Sequence, residues 1–223
     1  SVTTTKAGTY SLTITDANTC TSEVGIGTVT VNPLPTLTIT NPSAVCAPGT
    51  VDLTATAITA GSTSSLTYTY FTNPGATTVL SNPSAIATSG TYYIKGTNTT
   101  TGCFVIKPVV VTINALPSVV ITNPAAVCAP ATIDLSVSSV TVSSSTGLTY
   151  TYWRDASATT SLSNYTAVSA TGTYYIKGTN TNGCSSIQPV SVTVKTLPVL
   201  NITTPAGVCS PSTIDLTAAS VTA

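Results

Sequence analysis

Apolar and polar positions alternate along much of this chain with a period of two residues, and one alternating stretch occurs three times. In GTYYIKGTNTTTGCFVIKPVVVTI, from Gly90 to Ile113, Tyr92 and Ile94 alternate with Tyr93 and Lys95. That is the pattern of a strand with one face on a core. A polar turn follows, and Val109, Val111 and Ile113 then share one face of a second strand, so the stretch predicts a hairpin. The same pattern starts at Gly8 (GTYSLTITDANTCTSEVGIGTVTV) and at Gly172 (GTYYIKGTNTNGCSSIQPVSVTV). From 8 to 90 and from 90 to 172 is 82 residues each time, a fixed period that predicts an array of small β domains. In the first copy Tyr10 and Leu12 keep the inner face apolar, while Ser11 and Thr13 replace Tyr93 and Lys95 outside. A tyrosine just after Gly-Thr at the start of such a strand predicts a tyrosine corner, its hydroxyl bonded to nearby backbone.

Between the hairpins the pattern describes complete domains. Residues 36–117 form one full repeat and residues 118–198 a second. In the first, Thr36–Thr40 is expected as a strand, NPSAVCAPG as a kinked turn, and Val51, Leu53, Ala55 and Ala57 as the core face of the next strand. SLTYTYF then places Leu66, Tyr68 and Tyr70 on one face and Thr67, Thr69 and Phe71 on the other, and NPG marks a turn. Weaker strands are expected over Thr77–Leu80 and Ala85–Thr88. Roughly seven short strands with turns between them describe an all-β, immunoglobulin-like sandwich. Residues 1–35 carry the last two strands of such a repeat, and residues 199–223 the first two. If the ends completed each other head to tail, the joint would lack a counterpart of the LTYTYF strand; a window cut from a longer repetitive chain is the simpler account. The linkers NPLP, NALP and KTLP, ending at Pro35, Pro117 and Pro198, stop the ladder and stiffen the joints, so the domains are expected end to end.

Composition narrows the function classes. The chain has 223 residues, 42% of them hydrophobic and 5% charged, with 6 basic and 6 acidic side chains and no His or Met. Zero net charge without a basic cluster removes the attraction on which nucleic-acid binding and anionic membrane surfaces depend. No apolar run reaches the ~18 residues of a membrane helix, and no signal peptide opens the chain. Abundant Val, Ile, Leu and Tyr argue against disorder, and a neutral Thr/Ser-rich surface suits secreted, often fibrous, β proteins.

The 6 cysteines fall into two classes. Cys46, Cys128 and Cys209 lie in VCAP or VCSP between the first two strands; Cys20, Cys103 and Cys184 lie where the last strand begins. The spacings do not suit zinc, which wants close pairs and often His, and read instead as disulfides of an oxidising, extracellular setting. One pairing is within a domain, Cys46 with Cys103 and Cys128 with Cys184. In an immunoglobulin-like topology, however, the first turn and the hairpin turn lie at opposite ends. A last strand of about ten residues spans ~33 Å, against the ~6 Å between bridged Cα atoms. That geometry pairs Cys46 with Cys184 across the joint. Both pairings stand at this point, and Cys20 and Cys209 are expected to find partners outside the segment.

Catalytic chemistry finds no support. Without His, neither a Ser-His-Asp nor a Cys-His site can be assembled from these residues. There is no close carboxylate pair, phosphate loop or acidic calcium loop, so no catalytic, cofactor or metal residue is expected. Asp52, Asp134 and Asp215 share one repeat position, and Lys95 and Lys177 another. A Lys–Asp isopeptide crosslink is one reading; outward charges that discourage edge pairing are the plainer one, since both alternate against the core face. Phe71 and Trp153, the latter beside Arg154 and Asp155, lie on the outer face of equivalent strands. They read either as packing against a neighbouring loop or domain or as a shallow sugar or protein contact. Sequons occur at Asn98, Asn164 and Asn201.

AGTYSLTITDANTCTSEVGIGTVTVNPLP resembles the closing hairpin and linker of immunoglobulin-like and PKD-like repeats in very large bacterial surface proteins, the adhesins and gliding-associated proteins exported by type IX secretion. VCAPGTVDLTA is similar to the Cys-containing start of those repeats. The resemblance covers nearly the whole chain, but its motifs are architectural and specify no ligand. It implies export, attachment to the cell surface through a distant C-terminal region, and a stalk or adhesive role; the sorting domain of that family is absent from this segment.

Three functions are therefore expected in order: a non-catalytic stalk or filament segment of a cell-surface adhesin, a glycan- or protein-binding module, and an accessory region of a secreted enzyme. The expected partners are neighbouring repeats, other copies in a fibre, and surface glycans or proteins.

Overall fold

The computed structural model describes residues 4–217. In chain order its elements are β1 (Gly8–Leu12), β2 (Gly25–Val29), β3 (Val45–Cys46), a 3-10 turn (Thr56–Ile58), β4 (Leu66–Phe71), β5 (Gly90–Asn98), β6 (Phe104–Val111) and β7 (Ile113–Asn114). They continue with β8 (Val127–Cys128), the one-turn helix α1 (Ser138–Thr141), β9 (Thr149–Trp153), β10 (Gly172–Thr179), β11 (Ser185–Val192) and β12 (Val194–Lys195). The chain divides into two compact units, one ending at Ala115 and the other starting at Leu116. Both are all-β and immunoglobulin-like.

In the first unit β4, β5 and β6 form an antiparallel sheet in that order, with Tyr70 opposite Ile94 and Tyr92 opposite Val109. The facing layer is made of shorter extended pieces that carry Leu37, Val51, Leu53, Ile58 and Ile86 onto the sheet. Leu53 and Ile94 are fully buried between the layers, together with Leu37, Val109 and Val111. The short strand β3 pairs in parallel with β7, and Asn41 Oδ1 accepts the Val110 N–H at 2.9 Å, tying the first turn to β6.

The second unit repeats the arrangement. Strands β9, β10 and β11 form its sheet, β8 pairs in parallel with β12, and Asn123 Oδ1 accepts the Ser191 N–H at 2.9 Å. Leu135, Val140, Ile176, Val190 and Val192 fill its core. The tyrosine corner forms in every copy: Tyr10, Tyr92 and Tyr174 donate their hydroxyls to the carbonyls of Lys6, Thr88 and Ala170 at 2.9, 3.0 and 3.1 Å.

Four strand expectations change. The core strand expected from Val51 is reduced to a single bridge at Val51; Leu53 is still buried, but Ala55 and Ala57 are exposed. Asp52 Oδ1 accepts both the Thr54 N–H and the Thr54 hydroxyl, at 2.8 and 2.6 Å. This Asx-type turn diverts the backbone into the 3-10 turn, where Ile58 reaches the core instead. Thr36–Thr40 is extended but in no ladder, because side chains take the ladder's place: Thr36 and Thr38 donate their N–H groups to Thr63 Oγ1 and Ser62 Oγ. The pieces expected at Thr77–Leu80 and Ala85–Thr88 shrink to single bridges, Phe71 to Val79 and Val51 to Ile86.

Candidate functional site

The repeated cysteine sites are the most distinctive chemistry on the chain, and strand pairing positions them. In the first unit the Val45 N–H bonds to Thr112 O at 3.1 Å and the Ala47 N–H to Asn114 O at 2.9 Å, which sets Cys46 in register with Asn114. In the second, Cys128 stands in register with Lys195 through the equivalent bonds. The hairpin cysteines sit at the opposite end of each long strand, held by a tight turn: Asn98 N–H bonds to Cys103 O, and Asn180 N–H to Cys184 O, each at 2.9 Å. Cys46 and Cys184 are in disulfide linkage. Cys20, Cys103, Cys128 and Cys209 carry free thiols. Asn32 was not singled out by the residue pattern, yet its carbonyl oxygen lies 3.9 Å from Cys103 Sγ. The signal was available in the repeat, since Asn32 is the counterpart of Asn114.

The shared aspartates serve as turn caps. Asp134 and Asp215 repeat the Asp52 arrangement, each accepting the N–H and hydroxyl of the residue two positions on, Ser136 and Thr217. The hydroxyl bond first, and the N–H bond second, hold all three carboxyls below the usual carboxylate range. Lys95 lies over the Phe104 ring with Nζ 3.9 Å from its centroid, a cation–π contact within its own hairpin. The three aspartates and Lys95 are thus engaged locally, and these contacts give a Lys–Asp crosslink no geometric support.

The two aromatic positions differ in burial. Phe71, read from the sequence either as packing against a neighbouring loop or domain or as a surface contact, is 8% exposed and bridges to Val79. Trp153 is half-buried, and its Nε1–H donates to Thr151 Oγ1 at 2.9 Å. Beside it, Tyr152 and Tyr165 stack with centroids 4.2 Å apart, next to a shallow concavity that Tyr150 and Leu162 also line. Burial raises the Tyr152 phenol above its usual range, with the neighbouring Tyr165 second. Asn98 Oδ1 accepts the Thr100 N–H at 2.9 Å, and Asn164 Oδ1 accepts from Arg154 at 3.3 Å.

Two apolar faces remain open. Strands β1 and β2 pair in the register of β5 and β6, Gly8 opposite Val29 as Gly90 is opposite Val111. Yet Leu12 is 64% exposed, whereas its counterpart Ile94 is 0%. In the last stretch Leu200 and Leu216 are 70% and 65% exposed, against 1% and 0% for their counterparts Leu37 and Leu53. Among the described residues no helix is long and apolar enough to cross a membrane, and no His, Cys, Asp or Glu group of three or more gathers as a metal site.

No protein-family model matches the chain, and no curated protein does. Several solved structures resemble it at low identity. Extracellular domains 3–5 of Drosophila OTK align over 85% of this chain and 71% of their own, at 13% identity and a TM-score of 0.37. Immunoglobulin domains 1–4 of Sidekick-1 align over 86% and 60%, at 12% identity and a TM-score of 0.35. The insect immune protein hemolin aligns over 85% and 56%, at 12% identity and a TM-score of 0.32.

Proposed function

We propose that the chain is a non-catalytic stalk or filament segment of a secreted cell-surface adhesin, built from repeats at 36–117 and 118–198 with half-repeats at 1–35 and 199–223. The resemblance of its hairpins and linkers to the repeats of large bacterial surface proteins supports the surface role and the type IX export route. The observation that carries the reading is the oxidation pattern. Cys46 and Cys184 are oxidised, while Cys103 and Cys128, the partners each would need inside its own repeat, are thiols. In this reading Cys46 is bonded to Cys184, so that the first turn of one repeat is clamped to the hairpin of the next. A covalent joint beside a Pro-stiffened linker resists bending and passes tension along the array. The oxidised Cys46 and Cys184 also support an oxidising, extracellular setting.

The deciding experiment is a non-reducing peptide map of the oxidised chain. It is expected to find the Cys46 peptide joined to the Cys184 peptide; a bond from Cys46 to Cys103 would overturn the clamp. A contact module centred on Phe71 and Trp153 is disfavoured by the burial of Phe71. The accessory-region reading has no residue of this chain in its favour.

A further inference from the structure

We propose that the second unit holds a binding site for a neutral sugar residue, in the concavity beside the Tyr152–Tyr165 stack, and that the first unit lacks it. The inference concerns side chains within one complete repeat and is independent of the Cys46–Cys184 pairing proposed above.

The two units supply an internal comparison, because the same backbone carries different side chains at this place. At the 82-residue period Tyr150, Tyr152 and Leu162 repeat Tyr68, Tyr70 and Leu80. The segment after β9 is tied back as it is after β4: Leu162 N–H bonds to Tyr152 O and Leu80 N–H to Tyr70 O, each at 2.9 Å. Three lining positions differ. Trp153 stands for Phe71, Ser161 for Val79 and Tyr165 for Pro83. Each change puts an amphipathic aromatic or a hydroxyl where the first unit has an apolar group. The third matters most. Leu53 N–H bonds to Pro83 O at 2.8 Å and Leu135 N–H to Tyr165 O at 2.9 Å, so the backbone keeps its place. The added phenol ring stacks on Tyr152 with the planes 8° apart.

The concavity that results has a volume of about 390 Å³, toward the small end of the ~300–1,000 Å³ range of ligand sites. Its walls are aromatic, and the polar side-chain groups of its lining are hydroxyls. Those of Ser161, Ser163, Tyr152 and Tyr165 have no hydrogen-bond partner among the described residues. No lining residue carries a charged side chain. The two charged residues after Trp153 are engaged elsewhere: Arg154 donates to Asn164 Oδ1 at 3.3 Å, and the Asp155 carboxylate accepts the Thr159 and Thr160 N–H groups at 3.1 and 2.7 Å. An ionic ligand therefore finds no counter-charge in the lining.

Aromatic planes beside unpartnered hydroxyls suit a ligand with an apolar C–H face and hydroxyls around its rim, which is the chemistry of a neutral pyranose. A peptide strand suits the site less well. Beside Tyr152 the edge of β9 is already taken by Leu162, so a strand cannot pair along the edge through this point. The rings are also ordered in advance: the indole Nε1–H is held on Thr151 Oγ1, and Tyr165 is held on Tyr152. Ordering them before the ligand arrives lowers the entropic cost of binding.

The test uses the full chain, isotopically labelled for NMR, and follows the indole N–H of Trp153, a single resonance because the chain has one Trp. The probes are the methyl pyranosides of glucose, galactose, mannose and N-acetylglucosamine, which mimic the last residue of a glycan. Methyl glucuronide is the charged comparison, and a pentapeptide of alternating Thr and Val the strand comparison. At least one neutral glycoside should shift the indole resonance saturably, and bind more tightly than the glucuronide. The amides of Tyr150 and Tyr152 should move with it while those of Tyr68 and Tyr70 stay in place. Tyr165→Pro, a change whose backbone Pro83 already shows to be compatible with the fold, should weaken binding roughly tenfold, and Ser161→Val should weaken it as well. Absence of a saturable shift with every neutral glycoside, or binding unchanged in both variants, overturns the site. Equal shifts at Tyr68 and Tyr70 overturn its assignment to the second unit. Tighter binding of the glucuronide, or a response to the pentapeptide alone, overturns the neutral-sugar chemistry.

Discussion

Replacing Gly178 by Ala adds one methyl group at a crowded point of the second unit. The Cβ would stand 2.7 Å from Val119 Cγ2, 3.0 Å from Leu148 Cδ1 and 3.3 Å from Tyr150 Cε1. The first distance lies well inside van der Waals contact, and Val119 is itself buried at 6% exposure, so it has little room to retreat. Overpacking of this kind costs about 1–3 kcal/mol. Ala also narrows the unfolded ensemble, which returns about 0.4–1 kcal/mol. The expected net loss is about 1–2 kcal/mol, and each kcal/mol lowers Tm by roughly 4–8 °C for a domain of this size. The assay is thermal unfolding followed by tryptophan fluorescence. Trp153 is the single Trp of the chain and pairs with Tyr175 on the strand that carries Gly178, so the signal reports the unit under test. Gly96→Ala is the internal control. Its nearest atom is the flexible end of Leu66 at 3.1 Å, and its effect, read by circular dichroism, should stay within about 0.5 kcal/mol of zero. A coupling of about 0.5–3 kcal/mol between Gly178→Ala and Val119→Ala is expected, because the two share one contact. Unchanged stability of Gly178→Ala, or a larger loss at Gly96, would refute the packing argument.

Other outcomes follow from the same contacts. Leu135→Ala, in the core of the second unit, should cost about 2–5 kcal/mol in denaturant unfolding, whereas Leu216→Ala, its exposed counterpart, should change the reduced chain by less than about 0.5 kcal/mol. Tyr174→Phe, which leaves the Ala170 carbonyl without its donor, should cost about 0.5–1.5 kcal/mol; Tyr10→Phe, in the exposed hairpin, should leave the unfolding curve of the two units unchanged. The carboxyls of Asp52, Asp134 and Asp155 are all held below their usual range by hydrogen bonds to the charged form. Their contribution to stability is complete above the ordinary carboxylate range and is lost as pH falls through the lowered folded values. Acid unfolding of the Asp134→Asn variant, followed by fluorescence, should therefore show a shallower loss across that window than the parent chain.

Local order decided how much could be read in advance. The three hairpins were legible because each rests on a two-residue alternation over adjacent strands, with the partner strand next in the chain. The tyrosine corners were legible for the same reason, since donor and acceptor lie four residues apart. The facing layer was harder. Its pieces are too short to carry a period, and Asp52 turns the backbone away after Leu53 through bonds to Thr54 that compete with a ladder. Phe71 shows the limit from the other side: alternation placed it outward, and burial depends on what folds over that face, which no local pattern encodes.

The sequence by itself determined the all-β class, the 82-residue period and the two kinds of cysteine, because these follow from side-chain alternation and repetition along the chain. Only the tertiary structure decided which thiols are oxidised, which aromatic is buried and which apolar faces stay open. Those properties belong to pairs of segments far apart in the chain, and burial is settled only when both segments are present to exclude water from the surface between them.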